Sequence, residues 1–228
     1  MSSSVTDATH PTARAVAAPG VARSYGLAWN PRPALLWRYV GLAVALAVAS
    51  VFISYSAVLT LPVRGPVSAL YFASAFYALA TYWFGGWGLV SAFVGSLIGA
   101  GVMCGLPVGI AAPLSIANVL EPLVPFLLLR TIGGTIGLNP LATNILSTPG
   151  RSLFFFVAGA VVPPIVSGLW GVTTLRVAGL VPDDQFWQAL VSWWIGACIL
   201  LTIAVPLVGT LAGPALDRTG VCCRGIWS

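Results

Sequence analysis

Apolar positions run in long unbroken blocks along this chain instead of alternating with polar ones. Residues 39–63, 65–120, 152–175 and 185–216 hold no Asp, Glu, Lys or Arg. A helix rising about 1.5 Å per residue needs roughly 20 apolar residues to cross a bilayer core of about 30 Å, and each block reaches that length. A closed β-barrel would alternate with a period of two, which these blocks do not. The pattern predicts an all-α, polytopic integral membrane helix bundle with about six transmembrane helices.

Helix breakers place the ends. The first span runs from Leu35 to Leu61, with Trp37 and Tyr39 at its interfacial start. Beyond Leu61-Pro62-Val63-Arg64-Gly65-Pro66, the clusters Trp83-Phe84-Gly85-Gly86-Trp87-Gly88 and Gly105-Leu106-Pro107 divide the next block into spans at about 67–84, 88–105 and 108–129. The last two could instead form one re-entrant hairpin about Gly105-Leu106-Pro107. Residues 131–150, rich in Gly, Pro, Asn and Thr, suit a loop. Within it Asn139-Pro140 resembles a helix start, and Leu141 and Ile145 suggest a short helix lying on the membrane surface. The fifth and sixth spans fall at about 152–175 and 186–211, with Pro163-Pro164 breaking the fifth at its centre. Residues 1–33, rich in Ser, Thr, Ala and Pro, read as a flexible cytoplasmic arm, 34–212 as the transmembrane domain, and 213–228 as a short cytoplasmic tail.

Composition sharpens this picture. The 228 residues are 58% hydrophobic and 7% charged, against about 25% charged in soluble domains, which excludes a water-soluble monomer. All ten basic residues are Arg, scattered singly, so no basic stripe for nucleic acid exists. With both termini inside, six spans put Arg14, Arg23, Arg32, Arg38, Arg130, Arg151, Arg218 and Arg224 on the cytoplasmic side and leave Arg64 and Arg176 outside. This orientation follows the positive-inside rule. Cys104, Cys198, Cys222 and Cys223 make no metal-ligand or disulfide pattern. The single histidine, His10, lies in the arm, and no phosphate loop or nucleophile–base set is present, so neither an enzyme nor a bound cofactor is expected.

Glu121 is the only acid inside an apolar span. An intramembrane carboxylate points to a functional site, and Asn118, three residues earlier, shares its helix face. The rival role for Glu121 is interhelical glue with a Ser or Thr of a neighbour. Pro113, Pro122 and Pro125 predict a kinked helix with freed carbonyls around the site. Trp193 and Trp194 lie about 10 Å below the interface, too deep for an aromatic belt. They either pack as bulk or turn their N–H groups to polar partners or a ligand. Gly95 and Gly99 have the spacing of close helix contact.

Several patches, taken in order, resemble the membrane-associated sensor domain of the first MASE type. They are Pro66-Val67-Ser68-Ala69-Leu70-Tyr71, Phe84-Gly85-Gly86-Trp87, Asn118 with Glu121-Pro122-Leu123, Ser167-Gly168-Leu169-Trp170-Gly171, and Phe186-Trp187 followed by Trp193-Trp194-Ile195-Gly196. The resemblance covers roughly residues 35–212, with Ala197 standing where the family usually has an Asp. It implies a sensory module in the lipid bilayer that binds a small ligand or senses membrane state. Its signal would pass to a separate cytoplasmic partner, a histidine kinase or cyclic-dinucleotide enzyme. A second expectation is the substrate-binding membrane subunit of an energy-coupling-factor vitamin transporter, which six helices and the Ala43/Ala47 and Ala45/Ala49 spacing also resemble. Glu121, Asn118, Trp193 and Trp194 are the candidate ligand-binding residues.

Overall fold

The computed structural model describes residues 25–29, 36–60 and 70–227. Most of the arm, and residues 61–69 where the predicted second span begins, lie outside the described residues. Among those described there are helices and turns but no strand. Helix α1 covers Leu36–Thr60, α2 Ala73–Phe84 and α3 Gly86–Gly95; α3 continues through a π-helical turn, Ser96–Gly101, and a 3-10 turn, Val102–Cys104. Helix α4 covers Val108–Thr131, α5 Pro149–Phe155, α6 Val162–Val177 and α7 Phe186–Thr219, and a second π-helical turn, Phe156–Val161, joins α5 to α6. Five stretches are long and apolar enough to cross a membrane: 37–59, 86–104, 108–131, 149–177 and 183–219.

The sixth helix, α2, differs from the others. Its 12 residues rise about 18 Å, short of a bilayer core, and 11 of them are buried. Tyr77, Thr81 and Tyr82 have no exposed surface. It is a half-length helix inside the bundle, hairpinned to α3 through Gly85, whose φ of 58° suits a residue without a side chain. α3 also packs on α1: a Cβ at Gly95 would strike Ser50, and one at Gly99 the Val51 carbonyl, so the small residues permit close backbone approach. The Gly105-Leu106-Pro107 breaker joins two helices that are each long enough to cross, with Gly105 left-handed at φ 86°. α4 lies centrally against α2, α3 and α6, and α7 runs from α6 back to α2.

Two expectations change. The surface helix expected within 131–150 is absent: 138–145 folds inward as a plug, with Leu141, Ala142 and Ile145 0–1% exposed, while 134–137 and 146–150 are exposed. Asn139 Oδ1 accepts from the Leu141 amide at 2.9 Å, Asn144 Oδ1 accepts from the Asn139 amide at 2.7 Å, and Ala142 at φ 63° breaks helical continuity. Pro163-Pro164 lie at the centre of the 149–177 stretch, and the π-helical turn Phe156–Val161 directly before them is the expected break. The last helix passes residue 211 and ends at Gly220, because Gly209 and Gly213 allow it to pack on Ala142 and Thr143 of the plug. The tail is therefore shorter than 213–228.

That tail closes one end of the bundle. Cys223 N–H donates to the Trp83 carbonyl (2.8 Å), Gly86 N–H to the Ile226 carbonyl (2.6 Å), Gly26 N–H to the Arg224 carbonyl (2.9 Å) and Ile226 N–H to the Ala28 carbonyl (3.0 Å). Thus 25–29, the described part of the arm, are non-helical and fastened to the tail. Arg130, at the end of α4 and 6% exposed, holds the whole clasp. Its guanidinium donates to the carbonyls of Gly26 (2.9 Å), Arg224 (2.9 Å), Gly225 (2.6 Å) and Cys223 (2.8 Å), and stacks 4.4 Å from the Phe126 ring centre. Burial pushes the Cys222 thiol up to about 11 and the Cys223 thiol up to about 12. Tyr25 is likewise raised, first by burial and then by its 2.6 Å hydrogen bond to Asp217.

Candidate functional site

Beside the N-terminal end of α2 lies a cavity of about 150 Å³. α1 contributes Val58; the π-turn after α3 contributes Ser96, Ala100 and Gly101; α4 contributes Asn118; α7 contributes Trp193 and Ala197. Tyr71 and Ser74 close it from the α2 side. The Tyr77 hydroxyl pairs with Ser54 of α1 and lies 3.3 Å from the Tyr71 hydroxyl, tying that wall to the neighbouring helices.

Asn118 is 5% exposed. Its Nδ2 donates to Ser96 Oγ at 2.8 Å, while its Oδ1 is buried without a hydrogen-bond partner. Glu121, one turn further along α4 and 2% exposed, lies behind this wall. Ser167 of α6 donates to Glu121 Oε2 at 2.7 Å and accepts from Trp193 Nε1 at 3.2 Å. Ser74 also approaches the carboxyl. The interhelical glue expected from a Ser or Thr is therefore present, and it uses half of the carboxylate: Oε1 is buried and unpartnered.

The prolines add acceptors at the same place. α4 stays helical through Pro113, Pro122 and Pro125. Pro122 and Pro125 cannot donate to the carbonyls four residues earlier, which belong to Asn118 and Glu121 themselves. Both site residues thus present a side-chain oxygen and a backbone oxygen without its helical donor.

The two tryptophans separate. A Cβ at Gly171 would lie 2.8 Å from Trp193 Cη2, and one at Gly168 3.2 Å from its Cδ1, so Ser167-Gly168-Leu169-Trp170-Gly171 forms a slot that seats the indole and aims its N–H at Ser167. Trp194 donates instead to the Val161 carbonyl at 3.0 Å. The cavity wall includes Trp193 and not Trp194. Next to it, Cys198 Sγ contacts the Ala160 carbonyl at 3.1 Å, the acceptor that Pro164 leaves without its helical donor. Trp194 and Cys198 therefore serve the π-turn backbone, as buried donors must find acceptors.

Glu121, Asn118 and Trp193 come together; Trp194 does not join them. Ser74, Ser96, Tyr71 and Ser167 complete the site without having been singled out from sequence. Ser167 had a visible signal in the Gly168/Gly171 spacing beside it; a lone Ser in an apolar run gives none. Among the described residues no group of three or more His, Cys, Asp or Glu could hold a metal ion.

No family model matches the chain, and no solved structure matches it. Among curated proteins, the ammonium transporter Amt2 of Haloferax mediterranei is similar, 38% identical over 85 residues. That segment is 35% of this chain, and the chain spans 19% of the transporter's length. Together with the five apolar helices, this likeness to a membrane protein agrees with a multi-pass integral membrane protein.

Proposed function

We propose that this chain is an integral membrane signal-input module of the first MASE type, which takes a small molecule into the cavity beside α2 and reports its presence at the clasp. The observation that carries this reading is Asn118: it stands on the cavity wall, buried, with its amide N–H engaged by Ser96 and its Oδ1 unpartnered. An orphaned buried acceptor costs about 1–3 kcal/mol, an expense a ligand donor would remove.

α2 supplies the route between site and output. Its first turn carries Ser74 on the cavity wall, and its last turn carries Trp83, whose carbonyl takes the Cys223 amide of the clasp. A ligand that binds one packing of α2 better than another shifts the population of both ends together. Arg38, Arg130, Arg151, Arg218 and Arg224 belong to helix ends or tail at the clasp end, and Arg176 to the opposite end. By the positive-inside rule the clasp faces the cytoplasm, where a histidine kinase or cyclic-dinucleotide enzyme would read it.

The test is a small-molecule panel scored by thermal stabilisation of the chain in lipid nanodiscs, with Ala197→Phe as the cavity-filled control. A ligand at 100 times its Kd should stabilise the wild type by about 2.7 kcal/mol and leave the filled variant unmoved. Equal stabilisation of both proteins by every active compound would refute the reading.

A further inference from the structure

We infer that the cavity selects a small primary amine, bound as its ammonium form, with an apolar body of about five or six carbons. This rests on the reading of the cavity as the ligand site and names the chemistry that site would recognise.

The groups left over at the site are acceptors. Asn118 Oδ1 on the wall and Glu121 Oε1 behind it are buried without partners, and the Asn118 and Glu121 carbonyls lack their helical donors because Pro122 and Pro125 have no N–H. The amide and indole donors nearby are committed, Asn118 Nδ2 to Ser96 and Trp193 Nε1 to Ser167, Ser167 Oγ donates to Glu121 Oε2, and the wall hydroxyls of Tyr71, Ser74 and Ser96 can accept as well as donate. A ligand that satisfies this set must bring several N–H groups at one end, as an ammonium does with three. A hydroxyl brings one, and a carboxylate brings none and adds like charge beside Glu121.

Charge and shape agree. The cation on the same helix, Arg130, lies about 13 Å along the axis and is committed to four clasp carbonyls. An ammonium brought beside Glu121 would supply the counterion that its carboxylate form lacks on its own helix. The Trp193 indole on the cavity wall adds a surface that attracts cations. Elsewhere the lining is apolar, with Val58, Ala100, Leu106, Leu114 and Ala197, which favours a hydrocarbon body. A cavity of about 150 Å³ is of the size that holds benzene, which sets the carbon count.

The experiment compares n-pentylamine, 1-pentanol and pentanoate on the full chain in nanodiscs, with empty nanodiscs subtracted, by titration of tryptophan fluorescence. The amine should bind at least about tenfold more tightly than the alcohol, and pentanoate should not compete. Glu121→Gln keeps an oxygen for Ser167, so the fold should persist while amine affinity falls by about 30-fold or more, as when one partner of a buried charge pair is truncated. Asn118→Leu should weaken the amine and spare the alcohol. If the alcohol binds as tightly as the amine, or Glu121→Gln leaves amine affinity unchanged, the amine assignment is wrong while the cavity remains a ligand site. If none of the three binds and Ala197→Phe changes nothing, both the assignment and the cavity reading fall.

Discussion

Replacing Arg130 with Met keeps the length and apolar stem of the side chain and removes every donor. The guanidinium makes four hydrogen bonds of 2.6–2.9 Å to carbonyls of the segments 25–29 and 221–227. A bond to a charged group nets about 1.5–3 kcal/mol; Nη1 shares its two hydrogens among three carbonyls and Nη2 gives one to Cys223, so three hydrogens give a gross stabilisation of about 4.5 kcal/mol or more. Part of that returns when the partly buried carbonyls regain water, leaving about 3–5 kcal/mol, the usual cost of removing one member of a buried ionic contact. The loss is local, because α4 and α7 keep their packing against the rest of the bundle. Hydrogen exchange in nanodiscs should then show the Cys223 and Ile226 amides losing at least about 100-fold of protection, since each tenfold corresponds to about 1.4 kcal/mol. Amides in the middle of α4 should not change. Arg130→Lys should recover little, because an ammonium lacks the planar fork that reaches several carbonyls at once. Protection within about threefold of wild type in Arg130→Met would show that the clasp is held by its apolar contacts and not by this side chain.

Other outcomes are equally specific. Ser167→Ala removes the hydroxyl between Glu121 and Trp193, so two buried polar groups lose a partner; thermal unfolding should report a loss of about 2–4 kcal/mol, and a neutral result would deny the bridge its role. Gly95→Val drives a side chain into Ser50 and should separate α1 from α3; thermal unfolding in nanodiscs should report a loss of about 1–3 kcal/mol, and wild-type stability would deny the close contact. Alkaline pH should loosen the clasp. The folded pKa values of Tyr25, Cys222 and Cys223 are raised, so their contribution is complete below the unfolded values, about 10 for Tyr and 8.5 for Cys, and is lost as pH rises through the folded ones. Maleimide labelling of Cys223 should therefore stay slow at pH 8 and accelerate between about pH 9 and 12 by more than thiolate formation in a free peptide explains.

The long apolar blocks made the helical membrane architecture legible, because bilayer thickness leaves little choice for α1, α3, α4 and α7. Hydropathy could not show that α2 is short and buried among the other helices. It measures transfer to an apolar phase, and a helix buried in protein satisfies it as well as one facing lipid. Leu141 and Ile145 showed the spacing of a surface helix, yet the Asx-type turn at Asn139 and the Asn144 side chain folded them inward. At the site, Glu121 and Asn118 stood out because polar groups in an apolar span are expensive. Trp193 and Trp194 were equivalent in sequence and diverged in structure, since only the slot at Gly168 and Gly171 admits one indole toward Ser167. Arg130 read as a marker of the membrane boundary. Its role as the clasp depended on a tail whose polar backbone groups, not its side chains, are the partners, and a sequence pattern carries no signal for that.

The central claim is that occupancy of the cavity is felt at the clasp through α2. Hydrogen exchange at the Cys223 and Ile226 amides, measured in nanodiscs with and without saturating n-pentylamine, tests it most directly. The account predicts a change of at least about fivefold in wild type and none in Ala197→Phe, whose cavity is filled. An unchanged rate at the clasp while the amine demonstrably binds, or the same change in the filled variant, would contradict it.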